Sequence, residues 1–365
     1  DSGVTTGFAP LDAIVAFALA LLAAVLFKAT ALFGLDLDED AGFYLRNASF
    51  FVLPLLTGYF VWKRDIGFGA LRWLAIPFVA AIALVNLYPF EPDGFTEMLT
   101  GLHLPVALWL VVGIAYGGKR WNQVAGRMDF IRFSGELFIY YTLIALGGAV
   151  LTGFTAMIFQ VIGVDVETFI SYWLLPCGAL GAVLVASWLV ETKQSVIENM
   201  APVLTRLFSP LFALMLLAFL VTLILTGSGV DADRDALIAF DLLLLLVLGL
   251  LLYSISARDP MAAPGIFDYM QLVLVVSALL ANSVALWAIA TRISEFGFSP
   301  NRVAGLGINA LLIINLSVSA LLYIRFVRGK GTFARLERWQ TDYLPVFAGW
   351  AAFVVVAFPL IWGFD

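Results

Sequence analysis

Apolar stretches alternate with short polar ones from one end of the chain to the other. Eleven such stretches lie near residues 10–34, 43–62, 70–89, 102–118, 134–163, 168–190, 208–227, 236–255, 269–291, 303–324 and 344–362. A helix of about 20 apolar residues crosses about 30 Å of hydrocarbon. A membrane β-barrel would instead alternate apolar and polar residues over segments of about 10. The run DLLLLLVLGLLL at 241–252 has no period of two. The pattern predicts an all-α polytopic transmembrane bundle of about eleven spans, forming a single integral-membrane domain over residues 1–365.

The polar gaps add an orientation. One set of alternate gaps holds Lys63, Arg64, Arg72, Lys119, Arg120, Arg127, Arg132, Lys193, Arg206, Arg258, Arg325, Arg328, Lys330, Arg335 and Arg338, which are 15 of the 20 basic residues. The other set holds Arg46, Arg234, Arg292 and Arg302 and is otherwise acidic, as in LDLDED at 35–40 and EPDGFTE at 91–97. Basic loops stay in the cytoplasm. The N-terminus is therefore expected inside and, after an odd number of spans, the C-terminus outside. Three of the basic segments, 121–132, 194–207 and 333–343, also repeat apolar residues at helical spacing. They read as a collar of short helices, either lying in the headgroup layer or capping the bundle.

Composition sharpens this only at the edges. Hydrophobic residues make up 62% of the chain and charged ones 13%, against about 25% charged in a soluble domain. A water-soluble catalytic domain has no room. The net charge of −6 gives no reason to expect a nucleic-acid partner. The chain has one cysteine, Cys177, and one histidine, His103, which excludes an internal disulfide and any multi-histidine metal site. The first residues lack the basic segment of a signal peptide, so the first apolar stretch reads as a true span.

Polar groups inside spans are the next signal, because they are costly there and often functional. The candidates are Lys28, Asp241, Asn282, Asn309 and Asn315. Lys28 and Asp241 both lie toward the outer leaflet, where an ion pair between them is allowed. Asn282 and Asn309 fall at similar depth on two antiparallel spans, with Asn315 and Ser319 continuing inward. Such groups either bond helix to helix or line a ligand cavity. Pro54, Pro77, Pro176 and Pro359 are candidate kinks. Cys177-x-x-x-Gly181 is a small-residue pattern for close helix packing.

The most distinctive segment is the outer hairpin Thr291-Arg292-Ile293-Ser294-Glu295-Phe296-Gly297-Phe298-Ser299-Pro300-Asn301-Arg302. Gly297 suits a positive φ, and Ser299-Pro300 suits the cap and first position of the next helix. Arg292, Glu295, Gly297, Asn301 and Arg302 form either a structural turn, with both arginines able to reach Glu295, or a clamp for an anion or headgroup. The run RISEFGFSPNR followed by VAGLGINALLIINL resembles a bacterial family of multi-span proteins, DUF4153-like, catalogued as a domain of unknown function and loosely called permease-like. The matching positions are Arg292, Ile293, Glu295, Phe296, Gly297, Phe298, Ser299, Asn301 and Arg302. The resemblance covers about 25–35 residues. It implies a bacterial polytopic protein of the inner membrane, and it supplies no substrate, cofactor or catalytic residue.

Two functions fit these residues: a permease-like protein that moves or binds a small molecule or lipid, and a non-catalytic scaffold or accessory subunit of a larger membrane complex. A water-lined route would expose Asn282, Asn309 and Asn315, whereas a scaffold would enclose them and present an apolar face. An intramembrane enzyme has no support from HExxH, GxSxG or a histidine beside a nucleophile. No catalytic residue, metal ligand or cofactor motif stands out, although lipid, quinone or pigment can bind apolar helices without a sequence mark. The expected partners are membrane lipids and either another membrane protein or a second copy of the chain.

Overall fold

A computed structural model describes residues 10–92, 94–161, 163–192, 200–226 and 234–364. Every regular element among them is helical. The helices are α1 (Pro10–Ala29), α2 (Ala41–Asn47), α3 (Leu53–Lys63), α4 (Gly67–Leu87), α5 (Phe95–Gly117), α6 (Val124–Val161), α7 (Glu167–Thr192), α8 (Met200–Thr226), α9 (Arg234–Ser256), α10 (Ile266–Phe296), α11 (Pro300–Val327) and α12 (Ala334–Trp362). Among the described residues, nine helices are long and apolar enough to cross a membrane, and Phe240–Ser256 in α9 is a shorter apolar helix. The protein thus has the helices of a multi-pass membrane protein.

The second apolar stretch, 43–62, is not one helix. It divides into α2, a single 3-10 turn at Ala48–Phe51, and α3. Pro54 has no N–H for the Phe50 carbonyl and its ring crowds that turn, so a helix restarts with Pro54 in its first turn. The proline expected to kink a helix therefore stands at the start of one. The broken stretch still returns along the whole of α1. At one end Lys63 Nζ lies 2.9 Å from Asp12, and at the other the Tyr44 and Thr30 hydroxyls are 2.7 Å apart. At the break, Asn47 and Asn86 of α4 exchange amide hydrogen bonds of 3.0 and 2.8 Å.

The predicted collar is also corrected. Residues 124–132 are the opening turns of α6, and 334–343 are the opening turns of α12. In the third segment, 194–199 lie outside the described residues and 200–207 begin α8. These amphipathic turns run on into the following apolar stretches as one helix, through Pro210 in α8 and Pro345 in α12. At 38 residues, α6 is about 57 Å long, well beyond the hydrocarbon thickness of about 30 Å.

Two packed cores result. One joins α1, α3, α4, α5 and α7 around Leu56, Phe60, Val85, Val112 and Leu184, with Phe130 and Phe133 of α6. The other joins α8–α12 around Leu216, Leu251, Leu274, Leu316 and Tyr323, with Met128 and Ile131 of α6. The opening turns of α6 are therefore a seam with one face in each core. Leu99 of α5 completes the join against Ala304, Val354 and Phe358 of α11 and α12. Beyond Leu137, α6 has no buried residue as far as Val161.

The seam needs a glycine. A Cβ on Gly126 would lie 2.3 Å from the Arg120 carbonyl oxygen, a backbone atom that cannot swing aside. Gly126→Ala is expected to destabilise the protein by about 1–3 kcal/mol, seen as a drop of several degrees in Tm in mild detergent. An unchanged Tm would mean that α6 does not begin packed on this turn.

Candidate functional site

The polar chemistry gathers at the basic end, where α3 and α5 finish and α6 begins. Arg64, at the end of α3, donates from Nε to the Tyr116 carbonyl at 3.0 Å and from Nη2 to Glu191 Oε1 at 2.9 Å. Its guanidinium also lies 4.7 Å from the Tyr116 ring centre. The Glu191 side chain is 2% exposed, and Lys63 Nζ lies 3.9 Å from its other oxygen. Lys63 bonds Asp12 as well, so one enclosed carboxylate near the end of α7 ties together α1, α3, α5 and α7. Nearby, Arg132 of α6 donates to the Ser256 carbonyl at the end of α9, and Arg120 pairs with Asp129 at 3.0 Å.

Between these groups lies a cavity of about 530 Å³, lined among others by Arg64, Lys119, Arg120, Asp129, Arg132 and Glu136. Its floor is the turn Gly117-Gly118-Lys119-Arg120. Gly118 has φ +54° and ψ −128°, a conformation that excludes most side chains, and this turn sets Lys119 and Arg120 at the exposed rim. Lys119 pairs with no carboxylate among the described residues. Glu136 and Phe133 close the inner wall, both buried. Asp65 also lines the cavity. Four cationic and three acidic side chains thus surround one space, a lining that suits a polar guest carrying both signs of charge. Among the described residues no group of histidine, cysteine and carboxylate side chains is arranged to hold a metal ion.

The residues singled out in the sequence lie elsewhere. Lys28 donates to the Tyr172 carbonyl at 2.9 Å and sits 4.3 Å from the Trp173 ring centre, so α1 meets α7 there and no Lys28–Asp241 pair forms. Asp241 accepts from Asn309 Nδ2 at 2.8 Å, and Asn282 Nδ2 donates to the Asn309 carbonyl at 3.0 Å. Asn282 and Asn309 do meet at one depth, as their positions predicted. Asn315 faces α12 instead, where its Nδ2 donates to Gln340 Oε1 at 3.0 Å. All three asparagines are fully buried.

In the hairpin, Gly297 has φ +76° and Ser299 caps α11 at Pro300, as expected. Arg302 donates to the Phe296 and Gly297 carbonyls at 3.0 and 2.8 Å. It satisfies carbonyls at the end of α10. Glu295 is exposed, Arg292 is partly buried on the last turns of α10, and Asn301 turns a buried Oδ1 with no hydrogen-bond partner. The sequence reading did not bring together Arg64, Lys119, Arg120, Asp129 and Glu136. One signal was available: acidic residues such as Asp129 and Glu191 at the otherwise basic end mark internal ion pairing.

Compared with models of known families, with curated proteins and with solved structures, the chain matches none.

Two substitutions separate structure from function here. Glu191→Ala leaves Lys63 and Arg64 without their enclosed partner and is expected to cost about 3 kcal/mol, whereas Glu191→Gln keeps the hydrogen bond and recovers part of it. Equal Tm for wild type and both variants would remove the pair from the fold's support. Arg302→Ala is expected to lower stability by about 1 kcal/mol through the lost carbonyl bonds. A variant that melts normally yet loses a measured activity would make the hairpin a functional clamp.

Proposed function

We propose that this is a permease-like protein of the bacterial cytoplasmic membrane that binds a small polar molecule or a lipid headgroup at its basic end. The observation that carries the reading is the cavity of about 530 Å³ lined by both signs of charge. A cavity of this size is large enough for a small ligand, and this one lies where headgroups and cytosolic solutes would both reach it. An amphoteric guest, with an amine facing Asp129 and Glu136 and a phosphate or carboxylate facing Lys119 and Arg120, suits the lining best. The hairpin resemblance to a permease-like family points the same way. In this reading the chain makes eleven passes, with the broken α2–α3 stretch and α9 as two of them. The N-terminus lies inside and the C-terminus outside, since the basic ends would lie in the cytoplasm.

A second reading has its own support. Asn282, Asn309 and Asn315 are enclosed, as interhelical contacts would be, and α6 beyond Leu137 leaves many apolar residues exposed, among them Phe138, Leu143, Leu146, Leu151 and Phe154. That arrangement also suits an accessory subunit.

Native mass spectrometry of the protein from nanodiscs of phosphatidylethanolamine or phosphatidylglycerol tests the first reading. Phosphatidylethanolamine is expected to stay bound, and Lys119→Ala with Asp129→Ala is expected to weaken its retention about tenfold, equivalent to about 1.4 kcal/mol. Equal retention of both lipids by wild type and variant would count against headgroup binding. A second polypeptide in fixed ratio in native extracts would favour the subunit.

A further inference from the structure

A second polar region lies within the bundle, far from the basic-end cavity. Asp241 of α9 is partly buried, and among the described residues no lysine or arginine pairs with it. Among the described residues its hydrogen-bond donor is Asn309 Nδ2. Asn309 lies nine residues into α11, about 14 Å below the start of the helix. An isolated carboxylate at that depth is expensive unless something positive compensates it.

The two neighbouring amides show where compensation would enter. Asn309 spends its nitrogen on Asp241 and on the Gly305 carbonyl, each at 2.8 Å. Asn282 spends its nitrogen on the Asn309 carbonyl at 3.0 Å. Both side-chain oxygens, Asn309 Oδ1 and Asn282 Oδ1, are buried and accept no hydrogen bond. Helix-to-helix bonding accounts for the two nitrogens and leaves the oxygens idle. Donating nitrogens fix the amide orientations, since exchanging N and O would set oxygen against oxygen. An unpaired carboxylate and two buried amide oxygens without donors thus lie on three adjoining helices, α9, α10 and α11, linked through Asn309.

We propose that Asp241, Asn309 and Asn282 bind one small monovalent cation, sodium or a proton, within the membrane-embedded bundle. A single carboxylate balances a single positive charge, and neutral oxygens complete a hard-cation shell without adding charge. A proton satisfies the same site by joining the carboxylate and leaving the group neutral. Charged groups on the surrounding helices stand apart from it. Arg302 is held on the Phe296 and Gly297 carbonyls. Arg292 and Glu295 lie at least ten residues from Asn282 along α10, about 15 Å. Arg206 of α8, Arg132 and Glu136 of α6, and Glu337, Arg338 and Asp342 of α12 belong to the basic end. Gly305 faces the carboxylate: a Cβ there would lie 3.5 Å from Asp241 Oδ2, so α11 comes close without covering it. The proposal does not depend on headgroup binding at the other end.

Thermal unfolding of the purified full chain tests it. Tm is measured across sodium chloride concentrations, with choline chloride holding ionic strength constant, and at mildly acidic and mildly alkaline pH. Sodium occupancy predicts a saturable rise of several degrees in sodium over choline at alkaline pH. Proton occupancy predicts a rise on acidification without sodium. Asp241→Asn, which removes the charge, abolishes either response. If Asp241→Asn does not fold, Asp241→Glu keeps the charge and shifts the half-saturating sodium concentration or the pH midpoint. A wild type indifferent to both ions, or an Asp241→Asn or Asp241→Glu protein that responds as wild type does, overturns the proposal.

Discussion

Inside hydrocarbon every polar group must find its partner within the protein, and the enclosed carboxylate of Glu191 shows what that demand does to this chain. It draws Lys63 and Arg64 inward from the end of α3. Arg64 in turn reaches the Tyr116 carbonyl of α5, and Lys63 reaches Asp12 of α1. Four helices are thereby set against one another at one end, and the aromatic group of Phe60, Tyr116 and Phe133 fills the space beneath, with ring centres 4.6–5.2 Å apart. The second core repeats the device with different residues. Arg258 holds Asp268 through two nitrogens and lies 4.7 and 4.4 Å from the Phe326 and Phe333 ring centres. Arginines that look like loop charges are in large part the fastenings of the bundle.

This explains which parts of the architecture could be read from sequence. Apolar runs long enough to span announce helices whatever their packing, and the cap at Ser299-Pro300 and the turn at Gly297 follow from residue chemistry alone. The meeting of Asn282 and Asn309 was legible because two antiparallel helices joined by a short turn bring residues at equal distances from it together. The break at 48–52 was not, since hydropathy is blind to whether backbone bonds continue, although Pro54 was a hint. The collar was misread because amphipathicity marks a helix lying at an interface and the overhanging end of a longer spanning helix alike. Ion pairs such as Arg64–Glu191 join residues 127 positions apart, a distance over which one sequence carries no pairing signal.

The polar interior therefore divides by task. At the basic end Lys63, Arg64, Arg120, Arg127, Arg132 and Arg258 are committed to carboxylates or backbone carbonyls, and the cavity is what those commitments leave between α3, α5 and α6. Asn315, Gln340 and Ser319 satisfy one another across α11 and α12 and read as glue. Asp241, Asn309 and Asn282 do not close in the same way, because their oxygens outnumber the donors offered to them. The difference between these neighbouring polar groups is one of hydrogen-bond accounting rather than of residue type.

The headgroup reading requires the basic ends, and the cavity with them, to face the cytoplasm. The most direct test is labelling of single cysteines by a membrane-impermeant maleimide on spheroplasts, with Cys177 replaced by alanine. Glu91→Cys should label in intact spheroplasts, and Lys119→Cys only after they are opened. The reverse pattern would put the cavity on the outer side and contradict the account.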